Sequence, residues 1–407
     1  MLNIIWGIMV VLGIVVALVR IMLPGGPEVA ELTDAFFKSA SLSVEIIIGL
    51  MGMMCLWMGI SSIIEQSGLA NKLAKLLTPL FKVIMPEIPA GHKAVSDITM
   101  NLSANMLGLD NAATPLGLKA MRSLEELNPH PGTATNSEIM FLVINTSAVT
   151  IFPISIILYR TKFGAACPTD IFLPILITTT ISTLAGFLAV AFCQKINLLK
   201  LPLFVAFGLL FAVAAGISVW AVYAGDTLAS QATGFSNVLI MAFVAAVVLW
   251  GMIKKVPVFA AFISGAKEGI KVSFDILPYL VAMLSAIAVF KASGIMGILI
   301  SAIKSVCAFF GLRGDFAEAV PVGLMNPLSG SGGRALMLDV FETYGPDSLA
   351  GHIASLMQGS TETTFYVIAV YFGAVGITKV RHAIGCGLFA DFAAMMAAIF
   401  VGLMFFG

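Results

Sequence analysis

Charge is scarce in this sequence. Only 11% of its 407 residues are Asp, Glu, Lys or Arg, where soluble domains carry about 25%, and 59% are hydrophobic. That excludes a soluble globular fold and points to a polytopic membrane protein. The 22 basic and 22 acidic residues balance, so neither a nucleic-acid partner nor a strongly charged docking face is expected. Cysteine is also sparse. Cys55, Cys167, Cys193, Cys307 and Cys386 show no CxxC spacing and mostly lie in apolar runs, so they read as small core residues with no metal or disulfide framework. The four histidines, His92, His130, His352 and His382, are dispersed without paired-ligand spacing, and no serine sits in a nucleophile elbow. No enzyme activity, metal or cofactor is expected.

What is present is apolar length. Clear spans run over Leu2 to Met22, Ser43 to Ile64, Glu138 to Tyr159, Ile171 to Cys193, Leu201 to Tyr223, Ser236 to Ile253, Val272 to Phe290, Leu349 to Val375 and Ala383 to Phe406. The first has no cleavage pattern and reads as a retained span. Two polar-interrupted regions remain, Leu69 to Met121 and Ile295 to Val340. Their apolar pieces are too short to cross, so re-entrant hairpins are the natural assignment.

An internal repeat is visible. Ala35, Phe36, Ala40, Ser67, Gly68, Leu102 and Ser103 recur at a constant offset of 226 as Ala261, Phe262, Ala266, Ser293, Gly294, Leu328 and Ser329. The offset then falls to 213, where Ser147, Thr150 and Phe152 recur as Ser360, Thr363 and Phe365. An odd number of crossings separates equivalent elements, which reverses orientation. The expected fold is therefore all-α and polytopic, with two inverted-topology repeats, each holding a re-entrant hairpin and a broken transmembrane helix. The halves are 1–195 and 235–407, joined by a linking helix and loop over 196–234. Basic residues in short loops favour a cytoplasmic N-terminus, which puts the Leu69 hairpin on the inner side and the Ile295 hairpin on the outer.

The polar stretches inside the apolar sequence carry the chemistry. In MQGSTETTFY, Met357 to Tyr366, eight of ten residues are polar or glycine. An unpaired amide or hydroxyl in hydrocarbon costs several kcal/mol, so at membrane depth this run lines a cavity or packs within protein. Glu362 strengthens the functional reading, since an ionisable group inside a span marks a substrate or ion path by default. The competing reading puts Glu362 near a membrane surface, with Ser360, Thr361, Thr363 and Thr364 only bridging helices. The repeat partner, NTSAVTIFP from Asn145 to Pro153, has Val149 in place of the carboxylate.

The first hairpin holds MNLSANMLGLDNAATPLG, Met100 to Gly117, whose side chains favour caps and turns and predict a helix break near the tip. Asp110 to Thr114 also reads as an N-cap cluster for a helix with Pro115 near its start. The second holds MNPLSGSGGRALMLDV, Met325 to Val340. Asn326 and Pro327 stop one helix and Ser329 to Gly333 leave backbone exposed before the next begins, without the GK[ST] ending of a P-loop. Arg334 has two readings, a partner for Glu362 or an anionic solute, and a snorkelling surface residue.

The candidate binding residues are thus Asn101, Ser103, Asn105, Asn111, Thr114, Asn145, Ser147, Asn326, Ser329, Ser331, Gln358, Ser360, Thr361, Glu362 and Thr363. Glu362 leads as an ion-coupling residue, and Asp391 in the last span follows.

With MNLSANMLGLDNAATPLGLKAM the first half resembles the spore maturation protein A family. With NPLSGSGG and MQGSTETTFYVIAVYFG the second resembles the spore maturation protein B family, so the chain looks like a fusion of the two. Both families carry the nucleoside recognition, or Gate, domain. The resemblance implies a multi-pass cell (inner) membrane protein with two Gate domains and, in spore formers, a part in spore maturation. It leaves the solute unnamed. The expected function is a transporter-like protein for a small solute, nucleoside-like or a small anionic metabolite, whose partners are that solute and the lipid bilayer, with a homo-oligomer compatible. The alternative is a non-transporting scaffold or regulator of the envelope; an intramembrane enzyme ranks third.

Overall fold

The computed structural model describes residues 2–22, 29–69, 84–89, 91–107, 110–196, 228–309 and 314–407, with isolated positions between 208 and 223. Among the described residues the elements are helical: α1 (Leu2–Ile21), α2 (Val29–Ser67), α3 (Lys93–Met106), α4 (Asp110–Glu125), α5 (Asn136–Thr146), α6 (Ile154–Lys162), α7 (Phe172–Gln194), α8 (Leu228–Ile253), α9 (Val258–Ala292), α10 (Ile295–Phe309), α11 (Val320–Met325), α12 (Gly330–Tyr344), α13 (Leu349–Gly359), α14 (Thr364–Ala374) and α15 (Ala383–Phe406). Among the described residues, five helices are long and apolar enough to cross a membrane: Leu32–Ser67 within α2, α7, Gly234–Ile253 within α8, α9 and α15. The expected span over Leu201 to Tyr223 lies almost wholly outside the described residues.

Two expected spans, Glu138 to Tyr159 and Leu349 to Val375, are each a pair of short helices, α5–α6 and α13–α14. Their first members start on equivalent caps. Thr135 and Glu138 form a reciprocal capping box at α5, and the Ser348 hydroxyl accepts from the Gly351 amide at α13. α5 ends at Thr146 and α13 at Gly359, where runs of hydroxyl-bearing residues favour local turns over helix.

α2 and α9, with 39 and 35 residues, are roughly 58 and 52 Å long at 1.5 Å per residue, well beyond the ~30 Å hydrocarbon core. They run antiparallel against each other, with the Ser39 and Ser285 hydroxyls 3.1 Å apart. The close approach is made by Gly265 and Gly269, a small-xxx-small pair. A Cβ at Gly265 would collide with the Met58 carbonyl, and one at Gly269 would press on the Met54 backbone. α7 and α15 pack antiparallel in the same way, with Gly186 against Ala390 and the Cys193 and Cys386 sulfurs 3.9 Å apart.

α3 and α4 fold back on each other as a helical hairpin, held by Asp97 to Ser123 at 2.7 Å, Asp97 to Lys119 at 2.9 Å and Lys93 to Glu126 at 2.7 Å. Two points differ from expectation. The glycines after Ser329 are not open backbone: the Ser329 hydroxyl caps Gly332 at 3.0 Å, so Gly330 to Gly333 form the first turn of α12. They are small because α12 packs tightly there, Gly330 against Thr363, Gly332 against Met283 and Met325, and Gly333 against Gln358. And of the cysteines only Cys307 and Cys386 are buried; Cys167 and Cys193 lie exposed.

Candidate functional site

Three interruptions of helix and the end of α3 converge on one polar cavity of about 120 Å³. Asn105 reaches it from the end of α3, Thr150 from the α5–α6 break and Ser155 from the first turn of α6, Asn326 from the α11–α12 turn, Gly330 and Arg334 from the start of α12, Gln358 from the end of α13, and Thr361, Glu362 and Thr363 from the α13–α14 break. Phe152, Pro153, Ile154 and Ile156 supply the apolar wall.

The breaks are tied to one another. The Glu362 amide donates to the Thr146 carbonyl at 2.7 Å, so the second break closes the end of α5. The Phe365 amide donates to the Pro327 carbonyl at 3.1 Å, and the Ile151 amide to the Met106 carbonyl at 3.0 Å. These bonds satisfy groups that a helix end leaves unpaired. Side chains add to them. The Asn105 amide donates to Asn145 Oδ1 at 2.8 Å, and the Asn326 amide donates to Thr361 O at 2.8 Å and Thr361 Oγ1 at 3.2 Å. The Gln358 amide approaches Gly330 O at 3.5 Å.

Of the candidate residues, Asn105, Asn326, Gln358, Thr361, Glu362 and Thr363 line the cavity. The others do not. Asn101 donates to Ala113 O at 2.7 Å, Ser103 to Thr99 O at 2.6 Å, Ser147 to Val143 O at 2.8 Å and Ser360 to Met357 O at 3.1 Å, all buried. Ser329 serves as the cap of α12 and contacts Ser331. Thr114 is half-buried in α4 and off the cavity, and the Asn111 side chain lies outside the described residues. Asn145 is one step behind the cavity, holding Asn105. Arg334 faces the cavity, with its guanidinium 5.7 Å from the Tyr159 ring centre, in cation–π range.

A second polar cluster escapes any local motif. Arg160, fully buried, meets Asp347 at 3.1 Å, Asp170 at 3.1 Å, Pro346 O at 2.6 Å and His352 Nε2 at 3.2 Å. His352 in turn lies 2.9 Å from Asp170 and stacks on Phe406. Asp170, Asp347 and His352 are close enough together to hold a metal ion, but the guanidinium already supplies the positive charge at their centre. The cluster fits an internal ion network better than a cation site.

Residues 47–166 and 273–378 match the family described as nucleoside recognition, Gate, and every residue lining the cavity falls within one of these two segments. Spore maturation protein B of Bacillus subtilis (strain 168) is 44% identical over 172 residues, 42% of this chain and 95% of that protein. Spore maturation protein A of the same organism is 38% identical over 182 residues, 45% of this chain and 90% of that protein. Matched over more than half its length, this multi-pass membrane chain belongs to the nucleoside recognition (Gate) family, with homology to both spore maturation proteins in the pattern of a fusion.

Proposed function

We propose that the cavity is the solute site of a transporter in the inner cell membrane, built from two inverted repeats whose hairpins enter from opposite sides. The observation that carries this reading is the convergence of three non-helical segments and the end of α3 on one polar space. In a membrane protein such backbone survives only where it lines a cavity or is buried in protein, and discontinuous helices at a repeat interface are where secondary transporters bind their solutes.

The packing supports the repeat and its sidedness. α2 with α9, and α7 with α15, are repeat equivalents, and each pair packs antiparallel, as a two-fold axis in the membrane plane requires. Residues expected on the outer side meet one another: Arg20 donates to Ser293 O at 2.8 Å, and Arg160 to Asp347. Those expected inside do likewise: Ala134 N donates to Lys379 O at 3.0 Å, and Gln194 lies 3.2 Å from His382. The names of the two relatives suggest spore maturation as the setting.

The cavity is about 120 Å³, the scale of a site that holds benzene, whereas pockets for drug-sized ligands measure roughly 300–1,000 Å³. The state described thus suits a small polar solute, and a nucleoside requires the breaks to part. A thermal-shift screen of the purified protein tests this, with nucleosides, nucleobases, dicarboxylates and small zwitterions, repeated on Glu362→Gln. A ligand at about one hundred times its Kd stabilises by about 2.7 kcal/mol, and that gain is expected to vanish in the variant. Equal shifts in both proteins, or none from any class in a well-folded sample, would sink the assignment.

The direct backbone bond between the two breaks favours a second reading, a non-enzymatic scaffold in which the cavity is residual space. Solute flux into proteoliposomes separates the two, since a scaffold carries none.

A further inference from the structure

Asp391 lies 8 residues into α15, about 12 Å from its start at 1.5 Å per residue, and is 7% exposed. Its Oδ2 accepts from the Thr364 hydroxyl at 2.7 Å, and the Thr361 hydroxyl lies near the same carboxyl group without a hydrogen bond of normal geometry to it. Oδ1 is buried with no hydrogen-bond partner among the described residues. Hydroxyl dipoles do not cancel a charge, and among the described residues no Lys or Arg pairs with this carboxylate, Arg334 lying in the adjoining cavity. The helices packed on α15 are α5, α7, α8, α11, α13 and α14, and none contains Lys or Arg. Their titratable groups are Glu138, held in its capping box, His352, committed to Asp170 and Phe406, Cys193 beside Cys386, Tyr366 and Tyr371. Glu362, in the adjoining break, adds a second acid. An ionised carboxylate in such a place requires a counter-charge from outside the protein.

We propose that Asp391, with the hydroxyls of Thr361 and Thr364, binds a small monovalent cation, a proton or Na⁺, drawn from the medium. Two hydroxyl oxygens beside a buried carboxylate suit either one. The site also adjoins the cavity. Thr361 Oγ1 accepts from the Asn326 amide, and Asn326 and Thr361 both line the cavity. A cation at Asp391 draws on the oxygen that Asn326 uses, so occupancy of one site changes the polarity of the other, and the linkage is reciprocal. That this linkage drives transport rests on the reading above; cation binding itself does not.

The test uses the full chain in proteoliposomes on a solid-supported membrane, with no solute present. One arm steps Na⁺ against choline at fixed pH; the other steps pH at fixed Na⁺. A transient charge displacement is expected in one arm, which identifies the ion. It is expected to disappear in Asp391→Asn and to need a higher ion concentration in Thr364→Val, which keeps the carboxylate. Should Asp391→Asn fail to fold, Thr364→Val and infrared detection of a protonated carboxylic acid in wild type, with and without Na⁺, carry the same question. Displacement that persists in Asp391→Asn but is lost in Glu362→Gln would overturn the assignment, as would its absence from both arms in folded wild type. Because no solute is used, failure here leaves the solute screen standing, and the reverse holds.

Discussion

Arg160 donates to Asp347 at 3.1 Å across 187 residues of sequence, from a position with no exposed surface. The bond joins the end of the first broken helix to the cap region of the second. The Arg160 guanidinium also holds Asp170 and His352, so this side of the two breaks is fixed by one cation.

Removing that cation leaves the Asp170 carboxylate buried without compensation. Arg160→Ala is expected to destabilise the protein by about 3–5 kcal/mol, read as a lowered midpoint in detergent melting. Asp347→Asn is expected to cost much less, because its side chain is 43% exposed and solvent screens it. Equal losses in the two variants would contradict the burial argument.

The α2–α9 contact predicts a sharp difference between glycines. Gly265→Ala drives a methyl into the Met58 backbone and is expected to cost about 1–3 kcal/mol, the range for overpacking. Gly297→Ala in α10 meets nothing within 4 Å and is expected to be neutral or stabilising, since Ala outranks Gly in helices. Melting both variants side by side checks the prediction.

Asn105, half-buried, and Asn145, buried, form a polar pair. Asn105→Leu removes one partner and leaves the other unsatisfied, a loss of about 1–3 kcal/mol. Replacing both by Leu is expected to recover part of that loss while abolishing any solute shift. A double-mutant cycle on melting midpoints measures the coupling, and strict additivity would show that the bond contributes nothing.

His382 offers a pH test outside the spans. Burial, and then the neighbouring Arg381, hold its imidazole below the ordinary value of 6.5. A lowered folded value means that the unfolded chain binds the proton more readily, so the contribution to stability is complete above about pH 6.5 and is lost as pH falls through the folded value. His382→Gln is expected to flatten the melting profile just below pH 6.5 relative to wild type. An unchanged profile would show that His382 is not linked to folding.

Much of the site was legible because helix breaks are written in local chemistry. The hydroxyl-rich run around Glu362 and its partner at Asn145 cannot continue an apolar helix, so their places follow from the residues themselves. The capping box at Thr135 has the same transparency. By contrast, Arg160, Asp170, Asp347 and His352 share no spacing; only the fold brings them together. Glycine carries the same ambiguity in another form. From Gly330 to Gly333 it suggests open backbone, yet the reason for its small size is a neighbour, Thr363 or Gln358, invisible in the local pattern. Gly265 and Gly269 likewise gain meaning only beside Met54 and Met58.

The bond from Glu362 N to Thr146 O makes the site a shared possession of the two halves. Neither half alone has both the amide and the carbonyl, and neither alone encloses the cavity. As one polypeptide, the halves meet at an effective concentration set by the connection between α7 and α8. If that connection were severed, the complete set of lining residues would survive, but its assembly would become a matter of stoichiometry, rising and falling with the supply of each piece.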